Sequence, residues 1–196
     1  MGKKNIRRYK IEEVAFFRKT KEEHGELSNM CAGFNLVINH VDILTSEAIY
    51  QACKYPSLPD VQEKIIEQKS PMAAKMVGKP FRTEVRPDWY NIRIKVMRWC
   101  LSVKLAQNYD SFGAVLIYTQ NKDIVEESAK DSFWGAKKDK ENSSLLVGTN
   151  ALGRLLMELR EKFYKEEKSL LLKVEPLEIS NFNLYNKPIG VVEGMK

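Results

Sequence analysis

The stretch "FNLVINHVDILTSEAIYQACKYP", residues 34–56, changes its period half-way along. Up to Leu44 it reads as two short strands, a hairpin turning at Asn39 and His40. From Thr45 the period becomes helical. Ala48, Ile49, Ala52 and Cys53 form one apolar stripe, and Glu47, Tyr50, Gln51 and Lys54 fall at i, i+3, i+4, i+7 opposite it. Thr45 is a natural N-cap and Pro56 a stop, giving about two to three turns. A short helix therefore carries a carboxylate, a phenol, an amide and an amine on one side. On an arbitrary helix such a face is solvated, with a Glu47 to Tyr50 or Gln51 to Lys54 contact; a reactive cluster is the other reading.

The flanking segments repeat the alternation of strand and helix. "EVAFFR" (13–18) reads as a strand, and "KTKEEHGELSNM" (19–30) as a polar loop around Gly25. "DVQEKIIEQ" (60–68) is a short amphipathic helix. "SPMAAKMVG" (70–78) is another, with Ser70 as N-cap, Pro71 at the first turn and Gly78 past its end. A longer helix opens at Pro87 and runs to about Gln107 with Ile92, Val96, Cys100 and Val103 as its stripe, and "SFGAVLIYT" (111–119) continues as helix. "KDIVEES" (122–128) reads as a strand, "NALGRLLMELREKFYKEE" (150–167) as a helix capped by Asn150, and "SLLLKVEPLEI" (169–179) as a possible further strand. The expected class is α+β, a single compact, mainly helical domain around a small β-sheet, with no internal repeat and no low-complexity linker.

A chain of 196 residues that is 43% hydrophobic can bury a full core. Cys31, Cys53 and Cys100 are odd in number and far apart, which points to reduced, buried thiols and a cytoplasmic protein. Neither His24 nor His40 has partners at ligand spacing, so the sequence implies no metal, and it implies no cofactor. The longest apolar runs, "AVLIY" and "SLLLKV", are too short to span a bilayer, so no membrane partner is expected. Of the net charge of +6, the first ten residues contribute +5 through Lys3, Lys4, Arg7, Arg8 and Lys10. Between Lys69 and Lys104 nine basic residues face only Glu84 and Asp88, a local +7 that suits phosphates or lines a solvated helix face.

Six motifs in fixed order, "LSNM" (27–30), "TSEAIYQACK" (45–54), "KSPMAAKMVG" (69–78), "DWYNIRIKVM" (88–97), "DSFWG" (131–135) and "NALGRLLMELRE" (150–161), resemble the NADAR family. The resemblance spans about residues 13–165, leaving a basic N-terminal extension (1–12) and a C-terminal extension (166–196). It implies a compact α+β domain that hydrolyses an N-glycosidic bond. Some members act on riboflavin-pathway intermediates, and others look like partners of DNA ADP-ribosyltransferase toxins that remove ADP-ribose from guanine.

Breaking a ribose C1–N bond develops positive charge at C1 and the ring oxygen, so the site needs an anion beside the sugar and a proton for the departing nitrogen. The resemblance makes Glu47 the candidate anion, or the group that orients water, at a helix start whose dipole favours negative charge. Tyr50 and Gln51 would hold sugar hydroxyls or the base edge. Lys54 would either hold the ribose as a Schiff base, where the leaving group is an exocyclic amine, or contact a phosphate or hydroxyl while water attacks. Asp131 is the second candidate carboxylate, and Trp134 with Gly135 offers an aromatic plane and a close backbone approach. Trp89 could stack on a base, Ser28 and Asn29 could bond a phosphate or ribose, and Lys75 could contact phosphate. Asn150 and Gly153 are better explained as a cap and a close helix contact.

The bond type is better fixed than the substrate. The expected substrate is ADP-ribosylated guanine in DNA, or RNA, with an unpaired or single-stranded base favoured because stacking requires the base to leave the duplex. ADP-ribose would be the product and a cognate ADP-ribosyltransferase toxin a possible partner. The alternatives are a phosphoribosylamino-pyrimidine of riboflavin synthesis and a non-catalytic ADP-ribose or NAD-binding module.

Overall fold

A computed structural model describes residues 6–194, so Lys3 and Lys4 of the basic N-terminus lie outside the described residues. In chain order, β1 (Arg7–Lys10) and β2 (Val14–Phe17) precede the polar loop. The hairpin β3 (Leu36–Ile38) and β4 (Val41–Ile43) then leads into α1 (Ser46–Ala52). Next come α2 (Pro59–Ile66), α3 (Pro71–Val77), α4 (Trp89–Gln107) and α5 (Tyr109–Tyr118), then β5 (Asp123–Glu126), β6 (Lys137–Lys138), β7 (Leu145–Gly148) and α6 (Ala151–Lys165). The C-terminal segment holds α7 (Lys168–Leu171), β8 (Lys173–Val174), β9 (Asn183–Leu184), β10 (Lys187–Pro188) and β11 (Val192–Glu193). The class is α+β. Among the described residues the strands form one three-stranded sheet and four two-stranded ones rather than a single small sheet.

Local chemistry explains the boundaries. Asn39 and His40 both take positive φ, 51° and 64°, which closes the two-residue turn between β3 and β4. The Thr45 hydroxyl accepts from the Ala48 N–H at the start of α1, and the Ser70 hydroxyl accepts from the Ala73 N–H at the start of α3. Gly78 ends α3 with an ordinary negative φ of −71°; a side chain there would meet the Tyr55 phenol, whose hydroxyl donates to the Gly78 carbonyl.

Two compact units emerge. The first comprises the residues up to Ser28 with Gly113–Lys165. In it β2 pairs parallel with β5, and β7 lies between β1 and β6, both antiparallel to it. Helix α6 packs on β5, and a Cβ at Gly153 would collide with the Ile124 carbonyl, so glycine is what lets helix and strand approach. Asn150 sits at φ 51°, and its side chain does not cap α6 as expected. Its Oδ1 accepts from the Glu126 N–H and its Nδ2 donates to the Ile124 carbonyl, fastening the helix start to β5.

The second unit comprises Asn29–Phe112 and Glu166–Lys196. Helix α4 runs through its middle: Ile92, Val96, Cys100 and Val103 are buried as expected, and so are Met97, Trp99, Leu101, Leu105 and Ala106. Cys53 and Cys100 are free and buried, whereas Cys31 is only half-buried. The C-terminal segment is clipped to this unit by side chains. Gln62 donates to the Asn183 carbonyl and accepts from the Tyr185 N–H, Trp99 Nε1 donates to the Glu175 carbonyl, and Gln107 Nε2 donates to the Glu193 carbonyl.

The basic run from Lys69 to Lys104 is not uniformly a surface. Lys104 is fully buried, its ammonium 4.3 Å and 4.0 Å from the ring centres of Phe34 and Phe112, and Arg86 is 7% exposed and engaged in ion pairing. Lys69, Lys75, Lys79, Arg82, Lys95 and Arg98 are exposed, and Arg93 is half-buried. Six of the nine cations in that stretch are exposed. No helix among the described residues is long and apolar enough to cross a membrane.

Candidate active site

Helix α1 is buried on both faces. Glu47, Tyr50 and Gln51 are 7%, 4% and 4% exposed, so the face expected to lie either in water or in a site is enclosed within the second unit. A buried polar face requires partners, and here the residues supply one another. Gln51 Nε2 donates to Glu47 Oε1 at 2.7 Å, and Lys54 Nζ donates to Gln51 Oε1 at 2.6 Å. The amide of Gln51 thus stands between carboxylate and amine, its orientation set by needing an acceptor on one side and a donor on the other.

Aromatic rings wall this chain. Tyr50 and Trp89 are 5.0 Å apart, tilted at 53°, and the Lys54 ammonium lies 5.6 Å and 5.5 Å from their ring centres. Burial, opposed by Glu47 and helped by repulsion from Lys75, lowers the Lys54 pKa from its ordinary value. Burial and the neighbouring Glu47 raise the Tyr50 pKa far above that of an ordinary phenol, so Tyr50 keeps its phenolic proton.

Asn29 enters from the preceding loop. Its carbonyl accepts from the Glu47 N–H at 3.1 Å, so the loop end caps the same turn that carries the carboxylate. Its side-chain Nδ2 donates to the Met97 sulfur, while Oδ1 is buried without a partner among the described residues. A buried carbonyl oxygen without a donor costs stability, and a ligand hydroxyl would satisfy it. The site therefore brings together Asn29, Glu47, Tyr50, Gln51, Lys54 and Trp89, with exposed Lys75 acting on Lys54 through its charge.

The sequence matches a known family. The NADAR domain profile matches residues 15–164. The chain belongs to the NADAR family. It is 31% identical to the N-glycosidase YbiA of Escherichia coli (strain K12), over 77% of this chain and 89% of that protein. It is 31% identical to the riboflavin biosynthesis protein VVA0006 of Vibrio vulnificus over 81% of this chain, and 33% identical to the chloroplastic riboflavin biosynthesis protein PYRR of Arabidopsis thaliana over 67%. The chain spans only 41% and 21% of the length of those two larger relatives. The NMR structure of Escherichia coli YbiA superposes with a TM-score of 0.63 at 32% identity, covering 78% of this chain and 86% of that one.

Within the NADAR span the remaining candidates belong to the first unit. Asp131 Oδ1 accepts from the N–H groups of Phe133 and Trp134 at 2.8 Å and 3.0 Å, so one carboxylate oxygen already shapes the "DSFWG" turn. Trp134 is half-buried and stands edge-on to Phe133, with ring centres 5.0 Å apart. Gly135 makes its close backbone approach to the Glu126 carbonyl of β5, which a Cβ would strike at 2.5 Å. Ser28 is half-buried, and its N–H donates to the Gly25 carbonyl.

Two neighbours of the site escaped the sequence reading. The Arg93 guanidinium acts on Tyr50, and Met97 receives the Asn29 amide. Both were within reach, since Trp89, Arg93 and Met97 lie at i, i+4 and i+8 on one face of α4.

Proposed function

We propose that the protein removes ADP-ribose from ADP-ribosylated guanine in DNA, as the antidote to a DNA ADP-ribosyltransferase toxin. Its family and relatives make the chain a hydrolase of N-glycosidic bonds. The observation that carries the chemistry is the chain from buried Glu47 and Gln51 to half-buried Lys54, against Tyr50 and Trp89.

In this mechanism the C1–N bond breaks with its electron pair leaving on nitrogen, which takes up a proton. Positive charge at C1 and the ring oxygen develops beside Glu47, in a water-poor setting where an anion acts strongly. Gln51 holds the carboxylate and the amine in register. Where the ribose ring opens first, a different route applies: the neutral form of Lys54, which burial favours, adds to C1 of the imine, and the base nitrogen then leaves with its electron pair and takes up a proton. The resulting Schiff base then takes up water, returning the lysine and releasing the sugar. The Asn29 Oδ1 accepts from a sugar hydroxyl, and Trp89 offers a surface against the sugar or base.

The choice of a nucleic acid rests on the six exposed cations between Lys69 and Arg98 and on the basic N-terminal sequence. A second reading, hydrolysis of a phosphoribosylamino-pyrimidine, is favoured by the names of the Vibrio and Arabidopsis relatives. The test offers both substrates to the purified protein with Glu47→Ala and Lys54→Ala as controls. Release of ADP-ribose from the modified DNA, lost in both variants, supports the proposal. Cleavage of the pyrimidine alone replaces it with the second reading, and binding of ADP-ribose without cleavage of either leaves a binding module. Borohydride trapping of an adduct during turnover separates the lysine route from direct attack by water.

A further inference from the structure

One residue joins Lys54 to Trp89 through its backbone and sends its side chain elsewhere. The Arg86 N–H donates to the Lys54 carbonyl at 2.9 Å, and the Arg86 carbonyl accepts from the Trp89 N–H at 3.1 Å. Its backbone thus ties the end of the α1 segment to the first turn of α4. Its side chain is 95% buried and points to the C-terminal segment. Nε and Nη2 donate to the two carboxylate oxygens of Asp88 at 2.6 Å and 3.0 Å, Nη2 donates to the Ser180 carbonyl at 2.5 Å, and Nη1 donates to the Asn181 carbonyl at 3.4 Å. Ser180 and Asn181 lie outside residues 15–164, the span matched by the family.

A cavity of about 640 Å³ opens beside this fork, lined by Thr83, Arg86, Asp88, Ser180 and Asn181 among others. Tight packing therefore does not fix the guanidinium from that side; directional hydrogen bonds do. A planar fork held by a bidentate carboxylate and two carbonyls has little rotational freedom. Arg86 is consequently held at its tip by the C-terminal segment and at its root by Lys54 and Trp89.

We propose that Arg86 is a positioning residue through which the C-terminal segment, acting as a strap, sets the placement of Lys54 against Trp89. The inference rests on the reading that these two residues form the site, and it adds a part that the family's matched span does not contain. With the strap's grip lost, the Lys54 carbonyl and the Trp89 N–H keep their partner but lose its fixed position, and the amine moves from its enclosed place toward water.

The experiment measures the pH at which Lys54 becomes reactive toward an amine-acylating reagent, by mass spectrometry of the labelled peptide, in the full chain without substrate. Wild type is compared with Arg86→Ala, Asp88→Asn and Trp99→Phe, and melting temperatures are recorded in parallel. Trp99→Phe removes the hydrogen bond to the Glu175 carbonyl while keeping a ring against Phe182, so it loosens the strap away from the Arg86 fork and reports on destabilisation. The expected result is a labelling midpoint that moves up toward that of an ordinary lysine in Arg86→Ala and part-way in Asp88→Asn, and stays in place in Trp99→Phe. Turnover should fall about tenfold to a hundredfold in Arg86→Ala at little changed KM. An unchanged midpoint in Arg86→Ala overturns the proposal, as does an equal shift in Trp99→Phe. Should Arg86→Ala not fold, Asp88→Asn decides by the same criterion. Because labelling needs no substrate, a wild type that cleaves neither candidate substrate refutes the functional reading while the placement of Lys54 is still decided.

Discussion

Lys54 is the residue whose chemistry is most constrained by its surroundings. Its pKa lies below the ordinary lysine value of 10.5, chiefly because burial penalises the ammonium. If the neutral amine is the nucleophile, turnover falls as pH drops through the depressed midpoint, and a pH–rate profile of wild type against Glu47→Gln should show that limb displaced in the variant. Lys54→Met should lose about two to four orders of magnitude in turnover, read by product release. Stability carries the same signature. Between the depressed folded-state value and the ordinary value the unfolded chain binds more protons at this position, so raising the pH through that interval stabilises the fold. Melting temperatures followed across it should rise more in wild type than in Lys54→Met.

At the scale of elements, α1 and α6 show how far sequence reasoning reaches. The hairpin, the caps at Thr45 and Ser70 and the stripe of α4 were legible because each depends on local spacing and turn chemistry. The burial of the polar face of α1 was not, because Glu47 and Lys54 on a short helix look identical in sequence whether water or Trp89 lies beyond them. Nor was the use of Asn150, whose partners Ile124 and Glu126 lie in a strand more than twenty residues earlier. Glu47, Tyr50, Gln51, Lys54, Trp89 and Asn29 stand out in the sequence and lie together in the second unit, whereas Arg86 is invisible without knowing where Ser180 and Asn181 return. Two expectations follow. Thr45→Ala removes a side-chain cap whose loss costs about 1 kcal/mol, and because the capped turn carries Glu47, thermal melting and turnover should both decline. Gly153→Ala drives a methyl group into the Ile124 carbonyl and the Asn150 amide, and chemical denaturation should report a loss of about 1–3 kcal/mol or more.

For the whole molecule, charge and chain order matter most. With six exposed cations between Lys69 and Arg98, cleavage of a modified DNA oligonucleotide should fall about tenfold or more between 50 and 200 mM salt, while cleavage of a small phosphorylated metabolite should change much less. Flat salt dependence on DNA would argue against a polyanionic substrate. The second unit, moreover, is written in two pieces, residues 29–112 and 166 onward, with residues 113–165 belonging to the first. During synthesis, Gln62, Arg86, Trp99 and Gln107 are made long before the carbonyls they hold, at Asn183, Ser180, Glu175 and Glu193. Gln62, Arg86 and Gln107 have earlier partners in Ala52, Asp88 and Val37, but their remaining donors, and that of Trp99, wait for residues 175–193. Closing such distant contacts is slow, so the second unit completes late, and the fork of Arg86 is fully held only after Ser180 and Asn181 have been made.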